Sequence, residues 1–519
     1  NAGAAKTRRS EAQQTEQMFR RRQTKAEINR RMPFERKRMI KFIEKTPITQ
    51  GWSDDYKYFA LGADGKKYLL RITPGKINPD FITLFEAQKK CASIISAAEN
   101  IPMQQVPMSI PIECGKLDDI HAFCDDIRQH TEGTYAVYAW ADGGAAEPAV
   151  AVMPAAEQYA FGLRAGRVLK YIHEVPAPDN VQNWEERINV SIENKLRLCR
   201  ECSIKNDVAD SFVEYIKANR HLLKNRPQTF RHGDYHIGNF LVNDSGELIV
   251  IDFNRSDFGD PWQEFNRLVW SAHLSPYFAS GIVNGYFDNA VPQEFWKLLA
   301  LYTCINGIAS VPWAVRFGEE EIQVMLRQTR EVYEWYNGMT NEIPSWYIGV
   351  PELWDAYTET GERTGQLLIR GEPIPEGLYH IVVEVLAVHQ DGSVLLTRRD
   401  YNKGGYPGLW ESSAGGSVQR GEDPETAARR ELREETGLAA DVLQPIFTDL
   451  SQDSIYMGYL CFISAKKDSV VLQPGETVEY LWADKEEFIK IYNSKEYVPP
   501  LRKRLRETVG RLFGENAAE

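Results

Sequence analysis

Arg231-His232-Gly233-Asp234-Tyr235-His236-Ile237-Gly238-Asn239-Phe240 is followed, after the apolar stretch Leu248 to Ile251, by Asp252-Phe253-Asn254. Moving a γ-phosphoryl group to a hydroxyl needs a carboxylate near the acceptor. It also needs an amide oxygen and a second carboxylate to hold Mg2+, and a cation on the nucleotide phosphates. Asp234, Asn239 and Asp252 meet the first three needs, and a short strand between Asn239 and Asp252 brings both metal ligands to one edge of a cleft. A second set lies far downstream, where Gly416, Glu422, Arg430, Glu431, Glu434, Glu435 and Gly437 stand at fixed spacing. On a helix, positions 431, 434 and 435 share one face, so three carboxylates crowd together. An ordinary solvated helix would pair each Glu with a Lys four residues on. Here the acids repel one another, and Mg2+ or Mn2+ is what neutralises such a set.

Stepping outward from the first set, Lys41 to Lys45, Tyr56 to Leu61 and Lys67 to Thr73, the last two flanking the turn Ala63-Asp64-Gly65, predict a small antiparallel sheet. Phe81 to Ala98 reads as a helix, and Met108 to Cys114 and Thr134 to Trp140 as strands. Apolar periodicity then predicts helices over 155–173, 184–200, 207–217, 263–275, 294–308 and 319–337. Around the second set, 354–357, 366–369, 380–389 and 393–399 alternate as strands, 424–436 is a charged helix, and 500–512 is a basic helix.

Composition limits what these parts can serve. The 519 residues exceed one core and predict several domains, and 43% hydrophobic with 26% charged residues is globular. A net charge of -12 supplies no global field for a phosphodiester backbone, so no nucleic-acid partner is expected. The longest apolar run, 300–315, is interrupted by Asn306, Gly307 and Pro312 and reads as too short and polar to span a bilayer, so no membrane partner is expected. Seven cysteines suggest a reducing, cytoplasmic setting, and Cys199 and Cys202, with no completing pair, read as structural thiols. Residues 1–31 carry nine Lys or Arg against three Glu and read as a basic flexible arm or an expression remnant.

The first motif set resembles the aminoglycoside phosphotransferase and choline kinase superfamily, over residues 34 to 345. That resemblance implies a bilobal protein-kinase-like fold using ATP or GTP. Asp234 is then the base or hydroxyl-positioning acid, Asn239 and Asp252 ligate Mg2+, His232 braces the loop, and His236 supports it or touches substrate. Gly51 and Ser53, in the Ile48 to Asp55 loop, cover the nucleotide phosphates. Arg71 takes the place of the usual phosphate-binding Lys, with Glu86 as its partner. Tyr138 to Ala141, including Trp140, forms the hinge for the base. Asp257, Asp260, Glu264 and Glu319 to Glu321, with Trp270, Tyr277, Tyr286 and Trp313, suggest an acidic and aromatic cleft for a cationic hydroxylated acceptor such as an aminoglycoside or amino alcohol.

The second set resembles the Nudix hydrolases, in the branch that includes isopentenyl diphosphate isomerase-like proteins, over residues 350 to 497. The likeness implies an α/β/α sandwich in which Glu431, Glu434 and Glu435 bind metal, Glu434 and Glu435 being catalytic. Glu422 then supports the set, Arg430 orients the helix, and water attacks a diphosphate linkage. Ser412-Ser413-Ala414 departs from the apolar residue and Pro found before the two glycines in many nucleotide-hydrolysing members, and Glu476 or Glu479 is a candidate additional acid.

The expected fold class is therefore α+β and α/β multidomain, a kinase-like fold followed by a Nudix sandwich. Its divisions are the arm 1–31, an N-lobe 32–143, a helical C-lobe 144–348, a Nudix domain 349–497 and a C-terminal helix and tail 498–519. The expected function is a bifunctional, antibiotic-resistance-type small-molecule kinase fused to a diphosphate hydrolase. Its small-molecule partners are a nucleoside triphosphate, a hydroxylated acceptor and a diphosphate compound. The alternative is a metabolite kinase whose Nudix domain senses a nucleotide or diphosphate.

Overall fold

The computed structural model describes residues 40–49, 55–75, 78–117 and 132–514; the arm 1–31, Gly51 and Ser53 lie outside them. The chain divides into two compact units, residues 1–89 with 109–141, and 90–108 with 142–519. The division after residue 143 thus falls at Ala141, and 90–108 sorts with the second unit, where the buried Cys91 thiol reaches the Ile172 carbonyl at 3.6 Å.

The first unit is an antiparallel sheet with strand order Phe42–Ile48, Tyr56–Gly62, Lys67–Pro74, Gly133–Ala139, Pro111–Leu117. Alternation places Tyr58, Ala60, Tyr68, Leu70 and Ile72 in one buried layer. The hairpin at Ala63-Asp64-Gly65 closes because Gly65 adopts φ +77° and Asp64 Oδ1 accepts from the Lys66 amide at 3.1 Å.

The second unit begins with helices around a core of Ile188, Ile192, Phe212, Leu298, Leu301 and Ile305. The predicted helix 263–275 is instead a 3-10 segment, Pro261–Arg267, followed by an α-helix, Leu268–Leu274. Ser275 then caps a further helix, Pro276–Tyr286, by accepting from the Phe278 amide at 3.0 Å, with Pro276 at the first helical position. This helix crosses Ala155–Ile172 at glycine notches. A Cβ on Gly162 would strike the Phe278 carbonyl, and one on Gly281 the Tyr159 carbonyl, so both positions admit only glycine. The apolar run read as interrupted is one continuous helix, Gln293–Ala314. By length and composition it could cross a bilayer, yet Leu298, Leu299, Leu301 and Ile305 are buried in the helical core.

Beyond it a hairpin, Leu353–Tyr357 with Arg363–Ile369, precedes a mixed sheet centred on His380–His389. That strand runs parallel to Ser454–Ile463 and antiparallel to Val394–Arg399 and Ala414–Ser417. Its alternate residues face two cores. Ile381, Val383 and Val385 pack with Ala427, Ala428 and Leu432 of the helix Pro424–Thr436, while Leu386 and Val388 pack with Leu501 and Leu505 of the helix Pro499–Phe513. The result is an α/β/α sandwich, and the C-terminal helix 499–513 is one of its layers rather than an appendage.

Candidate active sites

Two short antiparallel strand pairs, the second of them a hairpin, build the first site. Thr229–Arg231 pairs with Asp257–Gly259, and Phe240–Val242 with Leu248–Val250. The second pair closes through Asn243, whose Oδ1 accepts from the Ser245 and Glu247 amides, both at 2.9 Å. Gly233 has φ +84°, and a Cβ there would overlap the Arg255 carbonyl, so the loop can pass only as glycine.

His232 is fully buried. Its Nε2 donates to the Ile251 carbonyl at 2.8 Å and its Nδ1 accepts from the Asp234 amide at 3.2 Å, which fixes one neutral tautomer and ties the loop to the next strand. Burial keeps it uncharged. Asn239 Nδ2 donates to the Asp234 carbonyl at 2.8 Å, turning its amide oxygen the other way, and the Ile251 amide donates to the Asn239 carbonyl at 2.9 Å. Asp252, one residue on, is held at φ +65°, a left-handed conformation costing a non-glycine residue roughly 1–2 kcal/mol. Asp234, Asn239 and Asp252 are thus brought together by backbone ties. His236 caps the turn after it, accepting from the Gly238 amide at 3.1 Å, with its Nε2 3.8 Å from Asp234.

Glu264 supports this loop from below, accepting from the Gly233 amide at 3.0 Å and the Tyr235 amide at 3.4 Å. Burial opposes its charge, but the His173 contact and the field of Arg231 prevail and hold its carboxyl down at about 2. Its depth corrects the reading of an acidic cleft, as do the partners of its neighbours. Asp257 is clasped by Arg231, at 2.6 Å, and Asp260 is fully buried against Arg226, at 2.7 Å, and the Tyr302 hydroxyl, at 2.6 Å. Tyr286 bonds His173 at 3.0 Å, and Tyr277 bonds Glu372. Trp313 packs with Ile322 and Met325, and Glu319 to Glu321 form the first turn of a helix. Asp257, Asp260 and Glu264 thus answer internal cations and amides.

What does surround Asp234 is positive. Arg267 Nε lies 3.1 Å from it and Arg255 Nε 3.8 Å. Burial works against ionisation, yet His236, Arg267 and Arg255 hold the Asp234 carboxyl well below the usual carboxylate range. Sequence reasoning missed both arginines. Arg255 directly follows Asp252-Phe253-Asn254 and was open to view, whereas nothing local marks Arg267.

In the first unit, Arg71 Nε donates to Asp55 at 2.6 Å, and Glu86 pairs with Lys89 of its own helix at 3.0 Å, so Asp55 rather than Glu86 is the partner on this strand. The strand order places Tyr56 opposite Ile72 and carries Asp55 to that same edge. Tyr138 pairs with Leu69 within the sheet, and the Trp140 amide donates to the Lys67 carbonyl at 3.2 Å while its ring meets Phe59 edge-on at 4.9 Å.

The second site is built on the helix Pro424–Thr436, capped by Asp423, which accepts from the Thr426 amide at 3.0 Å, and ended by Gly437 at φ +73°. Arg430 is its hub. It bonds Glu422 bidentately at 2.9 and 3.0 Å, Glu431 at 2.7 Å, Glu434 at 3.0 Å and the Ser417 carbonyl at 3.1 Å. A Cβ on Gly416 would overlap the Glu431 carboxylate, so a larger residue there would displace that side chain. Ser413, where the sequence departs from the apolar pattern, accepts from the Ala387 amide and donates to the Leu395 carbonyl, each at 2.8 Å, and so pins two strands.

Glu435 points the other way. It is 4% exposed, its carboxylate has no hydrogen-bond partner among the described residues, and burial together with Glu411, Glu431 and Glu476 pushes its pKa well up. Glu411, unassigned from sequence, is held by Arg399 at 2.6 Å. Glu476 pairs with Lys403, and Glu479 with Arg398 at 3.0 Å, so of those two only Glu476 stands in this group. As the side chains stand, no three acidic, His or Cys groups among the described residues close round one point. The donors nonetheless fit a hard divalent cation, because a buried carboxylate among carboxylates lacks a counter-charge that only a cation supplies.

Upstream, the hairpin touches the loop ahead of this helix. Asp355 accepts from the Gly421 amide at 2.8 Å, and Arg363 donates to the Glu422 carbonyl at 2.6 Å. Its other side, Ile369 with Leu353 and Leu367, packs on Ala156 and Tyr159.

Comparison with known proteins finds family likenesses for two regions of the chain. The phosphotransferase enzyme family matches residues 44–295, and the NUDIX domain matches residues 378–507. An uncharacterized Nudix hydrolase of Listeria monocytogenes is 31% identical over 150 residues, 28% of this chain and 89% of its own. An isopentenyl-diphosphate Delta-isomerase of Citrobacter koseri is 29% identical over 24% of this chain and 73% of its own. Among solved structures, a choline/ethanolamine kinase family protein of Mesorhizobium loti is similar over 59% of this chain and 93% of its own, at 12% identity and a TM-score of 0.40. The chain belongs to the Nudix hydrolase family through its C-terminal domain, and a region that matches the phosphotransferase enzyme family model precedes it.

Proposed function

We propose that the chain is a bifunctional enzyme, a small-molecule kinase that moves the γ-phosphoryl group of ATP or GTP to a substrate hydroxyl, joined to a Mg2+- or Mn2+-dependent Nudix diphosphate hydrolase. The observation that carries the kinase reading is the tie from Asn239 Nδ2 to the Asp234 carbonyl, at 2.8 Å, which frees the amide oxygen for a cation beside Asp252. Asp234 orients the acceptor hydroxyl and receives its proton; the cations that keep it ionised also make it a weak base, which suits late proton transfer in a loose transition state. His232 keeps the loop in register, and His236 supports Asp234. Arg71, the hinge at Tyr138 and Trp140, and the loop holding Gly51 and Ser53 are assigned to the nucleotide, with Glu86 left outside the site.

In the hydrolase, Glu431, Glu434 and Glu435 would hold the cation, which when bound neutralises the diphosphate and activates water. Arg430, fixed by Glu422, sets the helix against the strand at Ser417. Two substitutions test the pair of assignments. Asp234→Asn is expected to lower phosphoryl transfer by roughly a thousandfold with nucleotide binding retained, and Glu434→Gln to lower diphosphate hydrolysis by roughly a hundredfold with transfer untouched. Near-wild-type transfer by Asp234→Asn sinks the first assignment, and undiminished hydrolysis by Glu434→Gln sinks the second.

A further inference from the structure

The loop between the strands Val394–Arg399 and Trp410–Ser412 carries two tyrosines, Tyr401 and Tyr406, which are 65% and 46% exposed. Neither hydroxyl is bonded among the described residues. The loop itself is firmly tied. Asp400 accepts from the Asn402 amide at 2.8 Å through its side chain and from the Lys403 amide at 3.2 Å through its carbonyl, and Arg398 Nε donates to the Gly408 carbonyl at 2.9 Å. Tyr401 lies against Gly408, where a Cβ would come within 2.8 Å of the ring, and Tyr406 is held at φ +51°. A left-handed aromatic residue is strained, and such strain persists where the surroundings fix it, as they do at ligand clamps.

Geometry joins this loop to the hydrolase carboxylates. Arg399 donates through Nε to the Gly405 carbonyl at 2.8 Å and through Nη1 to Glu411 at 2.6 Å, so one guanidinium bridges the neighbour of Tyr406 and that acid. The Asp400 amide donates to the Glu476 carbonyl at 2.9 Å, and Lys403 pairs with the Glu476 side chain. The Glu476 amide in turn reaches the Gln473 carbonyl at 3.2 Å, and the Gln473 amide reaches the Glu435 carbonyl at 3.3 Å. The two exposed rings therefore stand on a loop bonded to the segments that carry Glu411, Glu435 and Glu476. Resting on the hydrolase reading above, we infer that Tyr401 and Tyr406 set the specificity of the hydrolase, as a stacking platform for a planar aromatic heterocycle attached to the diphosphate. A flat ring gains from stacking on Tyr while few rotatable bonds are frozen, and each such contact is worth roughly tenfold or more in affinity. A saturated chain needs an enclosed apolar wall instead. The loop offers none, because Asp400, Asn402, Lys403, Gly404 and Gly405 supply only polar groups and bare backbone, which match the polar edge of a heterocycle. The rings meet a part of the substrate that does not react, so they act on binding and leave the attack of water unchanged.

The test measures kcat and KM of the full-length protein with Mg2+ on ADP-ribose, UDP-glucose, CDP-choline and isopentenyl diphosphate. One or more of the nucleoside diphosphates is expected to exceed isopentenyl diphosphate in kcat/KM by roughly tenfold or more. Tyr401→Ala and Tyr406→Gly are expected to raise the KM of that substrate roughly tenfold with kcat within about twofold, while Tyr401→Phe and Tyr406→Phe keep the wild-type KM. Glycine accepts the left-handed backbone at 406, so the melting temperature of Tyr406→Gly should hold or rise and its KM reports the loss of the ring alone. Isopentenyl diphosphate as the preferred substrate overturns the inference. So does an unchanged KM in Tyr401→Ala and Tyr406→Gly, or a loss confined to kcat. If wild-type protein hydrolyses none of the probes above the level of Glu434→Gln, the hydrolase reading itself falls, and this inference with it.

Discussion

The two sites carry opposite imbalances of charge. Asp234 faces two cations, Arg267 and Arg255, and its neighbours Asp257, Asp260 and Glu264 are met by cations or amides, whereas around Glu435 the four carboxylates of Glu411, Glu431, Glu435 and Glu476 outnumber the three cations Arg399, Lys403 and Arg430. One site is rigid and ready, tied through His232, Asn239 and Glu264 into adjacent strands. The other is held in suspense, with Arg430 gripping two of its three box glutamates and burial disfavouring charge on the third. A site that stabilises a moving phosphoryl group benefits from charges fixed beforehand. A site that must first recruit a cation benefits from donors whose repulsion the cation relieves.

Glu435→Gln tests the second half of this contrast most strongly. It removes a metal donor, so hydrolysis is expected to fall by roughly a hundredfold or more. It also removes a buried, unpaired acid, so the melting temperature without divalent cations is expected to hold or rise, unlike the usual outcome of changing a buried polar group. Wild-type protein should gain melting temperature with added Mg2+ and the variant should gain far less. A variant that melts much earlier than wild type without metal would show that Glu435 has an internal partner and that the site is not in suspense.

Glu264→Gln tests the first half. Gln keeps one oxygen for the Gly233 and Tyr235 amides but loses the charge, and the change is expected to cost roughly 2–3 kcal/mol. The sign with pH follows from the depressed pKa. Stabilisation by Glu264 is fully present above its unfolded value of about 4.3 and is lost as pH falls toward about 2. The difference in melting temperature between wild type and variant should therefore be constant from pH 7 to 5, on the order of several degrees, and shrink below about 4. A difference that stays constant below about pH 4 as well would mean that the folded-state carboxyl is not depressed.

The sequence allowed the order of the chemistry to be read, but not its electrostatic setting. The helices Phe81–Ala98 and Pro424–Thr436 and the strand His380–His389 fall where their patterns place them, because local signals such as the Asp423 cap, Pro424 and Gly437 state the boundaries. Pro276–Tyr286 was invisible because Gly281 and Gly285 lower its helical propensity, and their purpose, close approach to Ala155–Ile172, exists only in three dimensions. Asp234, Asn239 and Asp252 were legible from spacing. The partners of Asp257, Asp260 and Glu264 were not, since Arg226, Arg231 and the loop amides come from other elements, and three satisfied acids therefore passed for an empty acidic cleft.

The smallest effect concerns whether the two sites stay separate. The hairpin that supports the Gln419 to Glu422 loop through Asp355 and Arg363 is seated on the helix Ala155–Ile172, and the carbonyl of Ala165 on that helix accepts from the Tyr235 hydroxyl at 2.7 Å, one residue from Asp234. Arg363→Ala removes a tie to the Glu422 backbone and loosens the hold on Arg430, so hydrolysis is expected to fall by roughly three- to tenfold. Phosphoryl transfer should not change, because no bond within the Asp234 loop is touched. If transfer falls as well while the melting temperature holds, the hairpin is a bistable element biased from both ends, and the sensing alternative gains the physical basis it needs, a difference in contact between two states rather than mere adjacency.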